Sequence, residues 1–302
     1  MRFLDADAVA ALGPAAAVQA TTDALRGGLD PATDPPRTTV GLWQGQFLLM
    51  PSETAGAAGV KVATVAPGNP ARGLPRIQAT YLLFDRGTLT LRAVLDGTAL
   101  TTLRTPAVSV AAVLPRLPDR PLHLTVIGAG PQAVGHVATL AAVRPLAGVT
   151  HLVRSPARAP FDALRLGAAA ADEALRRADV VVCATSARTP LFDSALLRDD
   201  VVVIAVGSHE PDARELDAAL LGRACVVVED VPTSMREAGD VVLAITEGAL
   251  SAADLVPLRD VVTGRVTVPG DRPLVFKSVG MSWQDLVVAE AVLSANAGDA
   301  AS

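Results

Sequence analysis

The sequence predicts an α/β protein, a doubly wound parallel sheet beside a second, α+β domain, and three observations lead there. From Leu122 onward short Val-rich runs alternate with helical segments, the pattern of a parallel sheet covered on both faces. A Gly128-Ala129-Gly130 turn opens that alternation at the end of its first run. Between Arg37 and Leu95, by contrast, apolar runs follow one another with only Gly and Pro clusters between them, which reads as antiparallel strands.

Taken in order, residues 1–26 read as two short helices, the second opened by Pro14 and closed by Gly27-Gly28. A Pro-rich loop, DPATDPPR, leads into the strand segments TTVGLW, QFLLM, GVKVATV, QATYLLFD and LRAVLDG. Thr98 to Leu114 returns to helical spacing, with Leu100, Leu103, Val108, Ala111 and Val113 on an apolar face. PRLPDRP then marks a linker. Beyond it come HLTVIGAG, a helix from Pro131 to Val143, THLVR, a helix near Phe161 to Gly167, ADVVVCATS, VVVIAVG and ACVVVED. The run Asp212 to Leu216 reads as the acidic opening turn of a helix. Trp283 to Leu293 is again helical and is expected to cross back to the first domain, while the tail SANAGDAAS frays. The domains are therefore placed at 1–117 with 278–302, and at 118–277.

Composition narrows the function classes. A chain of 302 residues, half of them hydrophobic, can fill two cores. With 31 acidic against 26 basic residues it has no basic stripe for a phosphate backbone, so nucleic acid is excluded as a partner. Cys183 and Cys225 lie inside Val-rich strands, as small hydrophobes of a reducing compartment do, and no disulfide is expected. Asp5 and Asp7 interrupt any secretory signal, and no unbroken apolar run reaches the roughly 18 residues of a membrane span, so a cytoplasmic protein is expected. The four histidines are scattered, and no clustered ligand set for a metal is present.

The turn after HLTVIG reads G-A-G-P-Q-A, the fingerprint of a dinucleotide-binding Rossmann domain. Gly128 makes the tight turn, Gly130 admits the pyrophosphate, Gln132 and Ala133 enter the helix, and Ala133 packs it close to the strand. An NAD enzyme presents Asp or Glu to the ribose at the end of the second strand. Here that position offers Arg154 and Ser155, which suit a 2'-phosphate, so NADPH is expected rather than NADH. Thr185 ends a later strand at the same sheet edge, where a cofactor ribose can reach it. In the first domain Arg37 heads a strand, Lys61 sits inside one, and Arg104 sits inside an apolar helix. Such charges need partners. A substrate carboxylate is one candidate, and for Lys61 a buried salt bridge or a snorkelling stem are others.

The chain resembles the ornithine cyclodeaminase and mu-crystallin family. The matching segments run nearly end to end in family order: Pro36-Arg37-Thr38, Leu49-Met50-Pro51, Gly59-Val60-Lys61, Pro67-Gly68-Asn69-Pro70 with Gly73-Leu74-Pro75, Asp96-Gly97-Thr98 with Leu103-Arg104-Thr105, the 128–133 turn, and Phe276-Lys277-Ser278-Val279-Gly280 with Asp285. The resemblance implies a homodimer in which the first domain and the C-terminal helix form the substrate and subunit interface. It also implies that Arg37, Lys61 and Arg104 surround a substrate carboxylate.

One departure bears on activity. Where the cyclodeaminase branch carries an acidic residue two positions before a proline, to handle the substrate amine, this chain reads Gly207-Ser208-His209-Glu210-Pro211. A histidine is a poor partner for a distal ammonium. The reading that follows is an NADPH-dependent reductase of a 2-imino acid, a cyclic ketimine such as Δ1-pyrroline-2-carboxylate, with Lys61 or His209 assisting protonation of nitrogen. The alternatives are an ornithine cyclodeaminase, in which Glu210 replaces the missing acid, an alanine-dehydrogenase-like enzyme, and a non-catalytic NADPH carrier of the crystallin type.

Overall fold

A computed structural model describes residues 1–298. The chain divides into two compact units, Met1–Val108 with the chain from Gly280 onward, and Ser109–Val279. The division falls inside a helix rather than in the PRLPDRP linker at 117/118, because the end of that helix belongs with the second unit. Ser109 is fully buried there and its hydroxyl meets the Nε2 of His136 at 3.0 Å.

The first unit opens with β1 (Arg2–Leu4), α1 (Ala6–Ala10) and α2 (Pro14–Arg26). Then come β2 (Thr38–Leu42), β3 (Gly45–Glu53), β4 (Ala57–Val65), β5 (Ile77–Asp85), β6 (Leu91–Asp96) and α3 (Gly97–Val113). The six strands form one sheet in the order β1-β6-β5-β4-β3-β2, antiparallel except where β1 runs parallel to β6. In β4 buried and half-buried residues alternate, so Gly59, Lys61 and Ala63 share the covered face. The C-terminal helix (Ser282–Gly298) packs on β3, β4, β5 and α2 and closes that face, with Trp283, Leu286, Val288 and Val292 buried. Edge strand β2 is exposed throughout, and Trp43 beyond it is 97% exposed. The sequence-predicted tail begins within the C-terminal helix, which continues to Gly298; residues 299–302 lie outside the described residues.

The second unit is the doubly wound half. Its elements are β7 (Leu122–Ile127), α4 (Pro131–Val143), β8 (Leu146–Val153), β9 (Leu164–Arg165), α5 (Ala169–Arg177), β10 (Val180–Cys183), β11 (Val202–Ala205), α6 (Ala218–Arg223), β12 (Cys225–Val228), α7 (Val231–Glu237), α8 (Gly239–Thr246), β13 (Val256–Pro257), α9 (Leu258–Val262) and β14 (Leu274–Lys277). The strands pair in parallel in the order β13-β12-β14-β11-β10-β7-β8-β9. Every residue of β10, β11, β12 and β14 is buried, as a sheet with helices on both faces requires. Both cysteines are buried and free in this core. Among the described residues no helix is long and apolar enough to cross a membrane.

Two expected helices are corrected. The segment near Phe161 to Gly167 is not helical: Leu164 and Arg165 pair with Leu152 and Val153 as β9, and Gly167 turns the chain at φ +81°. The helix follows as α5, whose Asp172 lies in the first turn and Arg176 and Arg177 in the last, complementing the helix dipole. The run Asp212 to Leu216 does not open a helix either. Helix α6 begins after Asp217, whose carboxylate caps the Leu220 N–H, while Glu215 turns inward.

Candidate active site

The three cations singled out in the sequence come together in the first unit, around a carboxylate that sequence reasoning had assigned no role. Lys61 projects from the middle of β4 onto the covered sheet face and is 4% exposed. Its Nζ lies 2.7 Å from the Oδ2 of Asp285 on the first turn of the C-terminal helix. Arg104, from α3, places Nε 3.3 Å from Asp285 Oδ1 and donates Nη1–H to Gln284 Oε1 at 2.6 Å. Arg37 donates to the Gly280 carbonyl at 2.5 Å. Gly280 adopts φ +78°, and a Cβ there would lie 3.0 Å from Arg104 Nη1, so the turn into the helix needs glycine for backbone and for space. The salt bridge that remained an alternative for Lys61 is thus present, with Asp285 as the partner.

Asp34 stands in the same cluster. It accepts from the Ser52 hydroxyl at 2.6 Å and from the Trp283 N–H at 2.9 Å, tying the loop that carries Arg37 to the start of the C-terminal helix. Burial, against its hydrogen bonds, raises its carboxyl to about 6. Burial likewise lowers the Lys61 ammonium to about 8, opposed by Asp285. Opposite Lys61 in the sheet stands Tyr81, fully buried, whose hydroxyl has no hydrogen-bond partner among the described residues. Burial, with Asp285, Asp34 and Glu290 nearby, keeps that phenol un-ionised. Gly59 makes room for it: a Cβ there would sit 2.2 Å from the Tyr81 oxygen. A cluster of this kind can hold one small anion and present a proton on Lys61.

In the second unit, Gly128, Arg154, Ser155 and Thr185 line a single cavity of about 410 Å³ at the carboxyl edge of the sheet. Gly128 has φ +126°, and a Cβ would lie 2.5 Å from the Ala184 carbonyl. A side chain therefore cannot replace it without moving the turn after β10. Gly130 caps α4, with no atom within 4 Å of the place a Cβ would occupy, which leaves the helix N-terminus approachable. Ala133 is fully buried against the sheet, and Gln132 lies one residue before it with its carbonyl on His136 Nδ1 at 2.7 Å. Leu152, Leu166 and Leu191 supply apolar walls. Arg154, Ser155 and a further cation, Arg158, stand at the rim; Arg158 ends the short turn Pro156–Arg158 and was not singled out in the sequence. Among the described residues no acidic side chain lines the cavity. Apolar walls, a glycine-built turn and exposed guanidinium groups fit a nicotinamide dinucleotide.

His209 is exposed, in the loop after β11, and belongs to the second unit, unlike the three cations. Glu210 pairs with Arg188 at 2.6 Å, and Asp212 joins the same arginine.

The sequence profile of the ornithine cyclodeaminase/mu-crystallin family matches residues 11–299. The chain belongs to this family. Among curated relatives, Δ1-pyrroline-2-carboxylate reductase 2 of Burkholderia ambifaria is 34% identical over 268 residues, covering 83% of this chain and 81% of the relative. The structure of Thermococcus litoralis Δ1-pyrroline-2-carboxylate reductase in complex with NADH and L-proline superposes with TM-score 0.87 at 25% identity, covering 97% of each chain. An archaeal alanine dehydrogenase dimer with bound NAD superposes with TM-score 0.85 at 27% identity, covering 97% of this chain and 96% of the other. For this family member, the residue that sequence reasoning underused is Asp285. It stood in a matching motif, but an acid in a helix's first turn looks like ordinary dipole complementation until Lys61 and Arg104 are seen to converge on it.

Proposed function

We propose that this family member is an NAD(P)H-dependent reductase of a 2-imino acid, with a cyclic ketimine such as Δ1-pyrroline-2-carboxylate as preferred substrate. The observation that carries the reading is the convergence of two buried cations, Lys61 and Arg104, on Asp285, with the half-buried Arg37 bonded to the Gly280 carbonyl at the head of the same helix. A pure cofactor carrier has no use for three such cations, whereas an imino acid brings a carboxylate for them to hold. The similarity to two proteins named as pyrroline-2-carboxylate reductases supports the substrate class. Proline, found with one of them, is what pyrroline-2-carboxylate becomes on gaining a hydride and a proton.

When bound, the reduced nicotinamide supplies the hydride for the C=N carbon. The chain's own residues do the rest. Arg37 and Arg104 hold the carboxylate by charge-assisted hydrogen bonds and fix the imine's orientation. Lys61, with its ammonium near pH 8, is poised to protonate the developing amine nitrogen, and Asp285 aims it. His209 is the alternative proton source. Tyr81, Met50 and Leu83 on the same buried sheet face keep bulk water away. Loss of reduced-nicotinamide absorbance against cyclic and open-chain imino acids tests the reading, with ornithine and NAD⁺ as the control for cyclodeamination. Turnover of the cyclic imines is expected. Dinucleotide binding without turnover of any imine would overturn it.

For the cofactor, NADPH is proposed over NADH. The related structures carry NADH and NAD, so the distinction rests on this chain's Arg154, Ser155 and Arg158 and on the absence of an acid at the cavity rim. A homodimer working in the cytoplasm is proposed as well. The exposed edge strand β2 with Val40 and Leu42, and Trp43 beside it, is an apolar surface suited to a second copy, and one related structure is a dimer. Light scattering at micromolar concentration checks the oligomer; a monomer there would refute it.

A further inference from the structure

One wall of the dinucleotide cavity traces back to a single buried side chain outside it. Glu215 is fully buried, and its Oε1 accepts both the Thr185 N–H at 2.8 Å and the Thr185 hydroxyl at 2.7 Å. Its Oε2 accepts the Gly207 N–H at 2.8 Å, and its main-chain carbonyl accepts the Leu191 N–H at 2.9 Å. The Thr185 oxygen in turn accepts the Ala187 N–H at 3.1 Å. Thr185, Ala187 and Leu191 all line the cavity. The approach is close: a Cβ on Gly207 would sit 2.0 Å from the Thr185 carbonyl and 2.6 Å from Glu215 Oε1.

Glu215 is itself held from behind. Asp240 accepts the Glu215 and Leu216 N–H groups at 2.8 Å each and pairs with Lys277 Nζ at 3.0 Å; Lys277 also donates to the Ser208 carbonyl at 2.6 Å. All of these side chains are essentially inaccessible. A buried polar network is stable only when its members satisfy one another, and this one joins the carboxyl ends of β10, β11 and β14.

The hydrogen-bond directions fix what Thr185 can offer. Its O–H donates to Glu215 Oε1, and one lone pair takes the Ala187 N–H. One lone pair remains.

We propose that Glu215 is a positioning residue for the cofactor: it turns the Thr185 hydroxyl so that its remaining lone pair accepts a hydrogen bond from a ribose hydroxyl of the dinucleotide, with Asp240 and Lys277 holding Glu215 in place. The proposal rests on the cofactor reading of the cavity. A Glu215 that gains a proton becomes a donor among donors and no longer orients the hydroxyl. Burial pushes its carboxyl up, and the Lys277 ammonium opposes that rise. The ionisable groups that act on it or on its neighbour Cys183 are Lys277 and Asp240.

The test is a double-mutant cycle on the full chain, read as the dissociation constant of NADPH or NADH, whichever binds wild type more tightly. Thr185→Val is expected to weaken binding about tenfold, the scale of one lost hydrogen bond. Glu215→Gln keeps the shape but places an amide N–H among the donors, and a similar loss is expected. The double variant should bind within about twofold of Glu215→Gln alone, because the two changes remove one interaction. A folded Glu215→Gln protein that binds like wild type overturns the proposal, as do losses that multiply in the double variant. Lys277→Met supplies a readout that mere loosening would not move. Without the ammonium Glu215 takes up its proton more readily, so the loss of binding toward low pH should shift to higher pH, and it should vanish in Thr185→Val. An unshifted low-pH limb in folded Lys277→Met, or a limb that persists in Thr185→Val, also overturns the proposal. If wild type binds neither dinucleotide, it is the cofactor reading that has failed, an outcome distinct from these.

Discussion

The first unit sets its charges in mid-strand, on the covered face of an antiparallel sheet, whereas the second sets its polar groups just past the carboxyl ends of parallel strands. Lys61 lies in the centre of β4, while Gly128, Thr185, Gly207 and Ser278 follow β7, β10, β11 and β14. The difference has a physical origin. An antiparallel sheet with one covered face has an inside on which a charge can be enclosed, provided the covering element brings a counter-ion; here the C-terminal helix brings Asp285. A parallel sheet buried on both faces admits no charge along β10 or β11, so its chemistry collects at the strand ends and helix N-termini. Mutations should therefore fail differently in the two units: by loss of stability and substrate handling in the first, by loss of cofactor affinity in the second.

The largest expected effect falls on the shared counter-ion. Asp285→Asn leaves Lys61 and Arg104 buried without their common anion, and removing one partner from a buried ion pair costs about 3–5 kcal/mol. Urea unfolding should show a lower midpoint at unchanged slope. A change below about 1 kcal/mol would mean that water reaches these cations and that the first unit does not enclose them as its geometry indicates.

Arg104→Ala probes the same cluster from the ligand side. The expected outcome is a fall in kcat/KM on a cyclic imino acid of roughly a hundredfold or more, from a lost charge-assisted hydrogen bond plus a misplaced imine carbon. Cofactor affinity should stay within about twofold, since the arginine belongs to the other unit. Wild-type rates in a folded variant would reduce the cluster to a structural role.

A smaller effect sharpens the part played by Lys61. Burial brings its ammonium down to about 8, so the protonated form dominates below that pH and is lost above it. If the ammonium delivers the proton to nitrogen, kcat/KM is flat between about pH 6, where Asp34 gains its proton, and pH 8, and falls about tenfold per unit well above that. Lys61→Arg, always charged, should move that limb upward at the expense of rate. An alkaline limb unchanged in this variant would assign the proton to another group, with His209 next in line.

The sequence revealed the second unit better than the first, and the same contrast explains why. Apolar strands such as VVVC and VVIA are readable because nothing in them is ambiguous, and the Gly128 turn is readable because its backbone admits nothing but glycine. Lys61 and Arg104 stood out as charges in apolar elements, yet their partner is more than 180 residues away from either, so no local pattern could join them. Glu215 was misread for a related reason: in a run with Asp212 it resembled a solvated helix start, and only the fold shows it facing Thr185. Residues 161–167 failed because β9 is two residues long and is made a strand by its neighbour β8 rather than by its own composition.

The smallest expected effect is the most selective, and it tests whether the strand-end logic extends to the cofactor's phosphate. Arg154 and Ser155 directly follow β8, where an enzyme built for NAD would place an acid toward the ribose, and Arg158 stands on the same rim. NADPH should therefore bind at least roughly tenfold more tightly than NADH, a difference a fluorescence titration resolves. Arg154→Asp replaces a cation with the acid that hydrogen-bonds the ribose hydroxyl and repels a phosphate, so it should reverse the preference. Because Arg158 remains, some affinity for NADPH should persist, and Arg154→Asp with Arg158→Ala should abolish it. Turnover on the imino acid at saturating cofactor should change little, since neither arginine belongs to the unit that holds the Lys61 cluster. Equal affinities for the two cofactors in wild type, or NADPH binding untouched by both substitutions, would place the 2'-phosphate away from this rim and break the rule that strand ends carry the second unit's specificity.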